Sequence, residues 1–190
     1  HLVLSTIHTN DAATGITRLA DMGIQPFLVA SSVVGLQAQR LIRRVCPHCA
    51  EPMAPTSEEL RELNIDESAF RSGNPCLLQP VRDEEGSIVR PAPWKGYKAP
   101  PKGHVWKAVG CDECNGIGYS GRTGVYEVLM VSEAVRRLTI RNASGTEIKD
   151  AAVKEGLRTL RDDGARKVMA GETSIAEVLR VTQDDMAALE

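Results

Sequence analysis

Aromatic side chains are scarce in this sequence. Two Trp, three Tyr and two Phe make up 4% of its 190 residues, so any core must be aliphatic; apolar residues at 42% are enough to build one. A charge excess is also missing. The formal net charge is −2, which excludes a whole-chain attraction to nucleic acid or to anionic lipid. No apolar run approaches the ~20 residues of a membrane-spanning helix, and no signal peptide opens the chain. Membrane insertion and nucleic-acid binding are therefore not expected. His1 leads straight into an apolar run with no methionine, which reads as a cut inside a larger protein.

Four of the five cysteines form two C-x-x-C pairs, Cys46-Pro47-His48-Cys49 and Cys111-Asp112-Glu113-Cys114. Two residues between paired cysteines let a tight turn aim both sulfurs at one ion, and four thiolates complete a tetrahedral Zn²⁺ site. One pair alone would suit a redox motif; two pairs read as a metal clip, the alternative being four unrelated buried thiols. Residues 50–110 lie inside the clip, far more than a minimal zinc ribbon encloses. Cys76 is left over with no evident partner. Free thiols and a zinc pattern suit a reducing compartment, so the cytoplasm is expected.

Along the chain, Leu2 to Ile7 reads as a short buried strand. Thr9, Asn10 and Asp11 are candidate caps for a helix from Ala12 to Met22, ended by Gly23. Pro26 suits a first turn, and the apolar content of Phe27 to Gln39 predicts a second, mostly buried helix, followed by a strand over 41–45. That order is the grammar of an α/β sheet. Residues 50–110 hold a capped helix from Ser57 to Leu63 and then prolines dense enough to break regular structure. A hairpin is expected around Glu85-Gly86, with Trp94, Tyr97 and Trp106 as packing anchors. Asn115 to Gly124 reads as turns, Val125 to Val131 as a strand, and the remainder as helices capped at Ser132, at Ser144 or Thr146, and at Thr173-Ser174.

His1 and His8 would stand roughly 23 Å apart on an extended strand, so they cannot share one small ligand. His8 falls at the strand's carboxyl end, where ligands of open parallel sheets sit, and is the residue placed to sense a phosphate there. The alternative is a loop histidine satisfied by local backbone.

The stretch HLVLSTIHTNDAATGITRLADMGI resembles the His box of the secretion ATPase superfamily, most nearly the type IV pilus assembly and type II secretion ATPases. AQRLIRRVCPHC, CDECNGIGYSGRTGVYEVLMV and LRDDGARKVMAGETSIAEVLRVT are similar to that family's later signature stretches, in the same order, so the likeness covers residues 1–50 and 108–183. The resemblance implies the C-terminal part of a RecA-like sheet (1–45 and 119–131). It also implies a tetracysteine zinc module with a long insertion (46–118) and a C-terminal helical domain (132–190). It further implies a homo-hexameric motor that uses ATP and Mg²⁺, peripheral to the inner membrane, acting on that membrane's platform protein of a pilus or secretion machine. His8 then contacts the γ-phosphate, His1 is the box's other histidine, and Arg40 and Arg122 are candidate inter-subunit or phosphate-facing groups. The G-x-x-x-x-G-K-[ST] phosphate loop is absent from these residues, so hydrolysis by them alone is not expected. A different class is a non-enzymatic zinc-ribbon module, in which Trp94, Tyr97 and Trp106 among Lys95, Lys98, Lys102 and Lys107 stack single-stranded nucleic acid.

Overall fold

Local caps start most of the helices. In the computed structural model, which describes residues 1–72, 85 and 98–182, α1 (Ala12–Asp21) is capped by Asp11 and α5 (Glu133–Ile140) by Ser132. Capping boxes open α3 (Ser57–Glu62, Thr56 with Glu59) and α6 (Gly145–Lys154, Ser144 with Glu147). Gly23, expected to end α1, and Gly156, which follows α6, have the positive φ that an αL cap demands. The other helices are α2 (Pro26–Ser32), α4 (Glu67–Ser72), α7 (Leu160–Met169) and α8 (Ile175–Thr182).

The strands depart from expectation. β1 runs from Gly35 to Val45 and takes residues 35–39 from the expected second helix, because Leu36, Ala38, Arg40 and Ile42 alternate with exposed neighbours at period two. α2 stops at Ser32, with Phe27 and Leu28 exposed rather than buried. β4 (Tyr119–Met130) extends back through the glycines read as turns. It pairs with β1, and hydrogen bonds just beyond the strand ends join Cys46 to Gly118 and Val131 to Val34, so the two strands run antiparallel. Residues 2–7 form no strand: Leu2, Val3 and Leu4 are 83%, 77% and 89% exposed, since an extended run has structure only where a ladder receives it. Inside the insertion, β2 (Glu51–Met53) and β3 (Val105–Lys107) pair antiparallel, Glu51 opposite Lys107 and Met53 opposite Val105. Cys76, Gly86, Trp94, Lys95 and Tyr97 lie outside the described residues.

The chain forms two compact units. The first comprises His1–Gln39 and Tyr126–Leu160, hence α1, α2, α5 and α6 with one end of each long strand. Its core is aliphatic as expected: Ala13, Ile16, Val29, Leu129, Val135, Ile148 and Ala152. Burying each of the larger members contributes about 1.5–3 kcal/mol. Gly15 lets α1 approach β1, since a Cβ there would stand 2.5 Å from Leu36 Cδ2. The second unit comprises Arg40–Val125 and Arg161–Gln183. Ile42, Val45, Leu60, Leu63, Phe70, Val105, Val125, Val168 and Val178 are buried in it. In that unit α7 meets α8 at Gly164, where a Cβ would collide with the γ-carbons of Val178.

Candidate functional site

The two C-x-x-C turns are built alike. In the first, Cys49 and Ala50 donate their N–H groups to the Cys46 carbonyl; in the second, Cys114 and Gly116 donate to the Cys111 carbonyl. Each turn folds its sulfurs to one side. Cys46 follows the last residue of β1, and Cys111 opens the 3₁₀ turn Asp112–Cys114 ahead of β4. All four sulfurs fall within 4.8 Å of one another. Cys46 to Cys111 is 4.0 Å; Cys49 to Cys114 and Cys111 to Cys114 are 3.8 Å each. A metal held by four thiolates at about 2.3 Å in a tetrahedron sets its sulfurs about 3.8 Å apart, so the donor set fits a metal ion.

Backbone donors complete the shell. Gly110 N–H reaches Cys49 Sγ at 3.3 Å, Cys111 N–H reaches Cys114 Sγ at 3.2 Å and Gly118 N–H reaches it at 3.1 Å. Such donors orient and stabilise thiolate ligands. Burial works to raise the Cys114 thiol, yet the N–H groups of Cys111 and Gly118 bring it down to about 6. At Cys49 burial prevails and the thiol is pushed up to about 11. Gly110 and Gly118 sit at φ +123° and +75°, and a side chain at either would strike neighbouring backbone. An ion held by all four cysteines would have a closed site, with no position for water or substrate.

The other residues singled out from sequence are spread over the fold. His1 and His8 are exposed on the irregular segment before α1, Arg40 lies half-buried in β1, and Arg122 is exposed in β4.

Two clusters of buried charge went unread in the sequence. In the second unit, the Glu177 side chain is 0% exposed. It accepts the Arg43 backbone N–H at 2.9 Å, Arg43 Nε and Nη2 at 3.0 and 2.6 Å, and Arg180 Nε and Nη2 at 2.9 and 2.7 Å. Burial works to raise its carboxyl, but Arg180 and Arg43 bring it down to about 2. The Tyr119 ring lies 4.2 Å from the Arg43 guanidinium, and Tyr119 shares a 2.7 Å hydrogen bond with Ser174. In the first unit, Glu127 is fully buried on the inward parity of β4, between Val125 and Leu129, and Oε1 accepts the Ala12 N–H at 2.9 Å. A charge on the apolar parity of a strand was the available signal. Asp11 accepts from Thr14 N–H at 2.8 Å and from Lys149 Nζ at 2.9 Å. Burial opposes ionisation of Asp11, but the Thr14 and Lys149 hydrogen bonds hold its carboxyl below the usual range.

The class is thus a mixed helix-and-strand protein with a cysteine cluster able to hold a metal ion. The chain belongs to the Type II/IV secretion system protein family, whose model matches residues 1–180. It is 36% identical over 182 residues to the type IV pilus assembly ATPase PilB of Thermus thermophilus, covering 96% of this chain and 17% of that protein. It is 37% identical over 184 residues to the type II secretion system protein HxcR of Pseudomonas aeruginosa, covering 97% of this chain and 29% of that one. To the type II secretion system protein E of Aeromonas hydrophila the identity is 38% over 185 residues, covering 97% and 30%. The chain thus spans less than a third of the length of these relatives. Among the described residues, no helix is long and apolar enough to cross a membrane.

Proposed function

We propose that these residues are part of a cytoplasmic, homo-hexameric motor ATPase that couples ATP hydrolysis to type IV pilus assembly or type II secretion. The family match over residues 1–180 carries this reading, and the relatives' names supply the activity. Residues 1–45 and 119–131 serve as the C-terminal part of a RecA-like core, 46–118 as the zinc module and 132–190 as the C-terminal helical domain. Cys46, Cys49, Cys111 and Cys114 hold one Zn²⁺, a structural ion that fixes the mouth of the long insertion. These residues contain no phosphate loop, and we assign that loop and the Mg²⁺-holding carboxylates to other parts of the protein. Alone, they should be inactive. His8 senses the γ-phosphate, with His1, Arg40 and Arg122 facing nucleotide or the neighbouring subunit. The motor works beneath the inner membrane on a platform protein of the machine.

The experiment is a His8→Ala substitution in the full-length protein, with ATP turnover and nucleotide affinity measured at fixed Mg²⁺. Turnover should fall about 10²-fold, the order expected when a positioned group at the reacting centre is lost. Turnover and affinity both unchanged would remove His8 from the reaction.

A further inference from the structure

The His8 segment runs directly into the first turn of α1, and that turn is held from two distant parts of the chain. Asp11, three residues after His8, is the N-cap. Its side chain takes the Thr14 N–H at 2.8 Å and the Thr14 hydroxyl at 2.5 Å, and Lys149 of α6 donates to its other oxygen at 2.9 Å. The next residue, Ala12, gives its N–H to Glu127 of β4 at 2.9 Å. Thr9 Oγ1 donates to the Asp11 carbonyl at 3.0 Å, which ties the residue next to His8 into the same cluster. Glu127 is 0% exposed, and the side chains of Asp11 and Lys149 are 12% and 20% exposed.

Capping does not require all of this. One N-cap carboxylate satisfies an orphan N–H of a helix start, and Asp11 already does so. A second, fully buried carboxylate is costly to desolvate. What Glu127 adds is placement: it fixes the first N–H of α1 to β4, while Lys149 fixes the cap residue to α6. Together these bonds seat the first turn of α1 against both β4 and α6.

We propose that Lys149, Asp11 and Glu127 are positioning residues for His8. They set the place of the His8 turn and make it follow α6 and β4. This inference rests on the reading of His8 as a phosphate sensor, and the test separates the two.

In the full-length assembled protein, kcat and KM for ATP are measured for His8→Ala, Lys149→Met, Lys149→Arg, Glu127→Gln and the double variants with His8→Ala. Lys149→Met should lower kcat by about tenfold with KM little changed, since small misplacement of a reacting group costs rate rather than affinity. Lys149→Arg should restore most of the loss, because a guanidinium can still pair with Asp11. The deciding reading is the double variant: once His8 is gone, Lys149→Met should cost less than about twofold more, as residues acting through one another are not additive. Glu127→Gln keeps shape and an acceptor oxygen, so it carries the same cycle should Lys149→Met fail to fold. Additive losses would mean a merely structural cluster and overturn the proposal. A loss for His8→Ala with none for Lys149→Met or Glu127→Gln would overturn the positioning role while His8 keeps its own. No loss for His8→Ala would overturn the sensor reading, and this one with it.

Discussion

Replacing Glu177 by Gln keeps the volume and an acceptor but removes the charge between Arg43 and Arg180. The wild-type carboxyl sits at about 2 against an ordinary 4.5, with burial working to raise it and the arginine hydrogen bonds overriding burial. At 1.36 kcal/mol per pKa unit, that gap corresponds to about 3 kcal/mol at neutral pH. Arg43 and Arg180 are 39% and 57% exposed, and solvent screening at them trims the figure to about 2 kcal/mol. The variant should melt roughly 4–8 °C below wild type at pH 7. Because the folded value lies below the unfolded one, the stabilisation is complete above about pH 4.5 and is lost as pH falls toward 2. Denaturant titrations of both proteins at pH 7 and pH 3.5 should show the difference shrinking to about three-fifths. A difference that stays constant with pH, or a melting shift under about 1 °C, would refute the reasoning.

Cys46→Ser should abolish stoichiometric zinc in a metal assay under reducing conditions and lower the melting temperature, because structural zinc contributes folding free energy directly; Cys76→Ser, the comparison, should change neither. Gly164→Ala should destabilise by about 1 kcal/mol in denaturant titration: the helix gains about 1 kcal/mol from alanine, but overpacking against Val178 costs about 1–3 kcal/mol. Val178 is fully buried and β-branched, so it cannot turn aside.

What could be read from sequence was what is decided locally. Asp11, Ser132 and Ser144 cap their helices because the bonds they make span three residues, and spacing alone exposes them. The C-x-x-C turns are local in the same sense, and the convergence of the two pairs was inferable because one tetrahedral ion needs four donors. Strands were harder. Residues 2–7 have strand composition without a ladder, whereas Gly35–Val45 has one, and apolar content over 27–39 masked its alternation. The charge clusters were invisible for a plainer reason. Arg43 and Glu177 are 134 positions apart, Ala12 and Glu127 are 115 apart, and no periodicity records such a pairing.

The clip makes sense beside the ladder it encloses. Residues 50–110 separate Cys49 from Cys111 in sequence, and closing so long a loop costs entropy that rises only slowly with its length. Just inside the mouth, β2 and β3 pair over only three positions, 51–53 with 105–107. A ladder that short is marginal in water by itself. Four thiolates on one ion would close the mouth from the outside and hold the two strands in register. The N–H groups of Gly110 and Gly118 then aim at sulfur. Arg43, three residues before Cys46, is bound to Glu177 through its N–H and by Thr173 Oγ1 through its carbonyl, and Val45 N–H donates to the Glu172 carbonyl. The strand that carries Cys46 is thus held by hydrogen bonds that do not involve the cysteines. A rigid ligand strand would lower the ordering entropy that metal binding must overcome, so the buried charge at Glu177 would favour an ion held by the four cysteines.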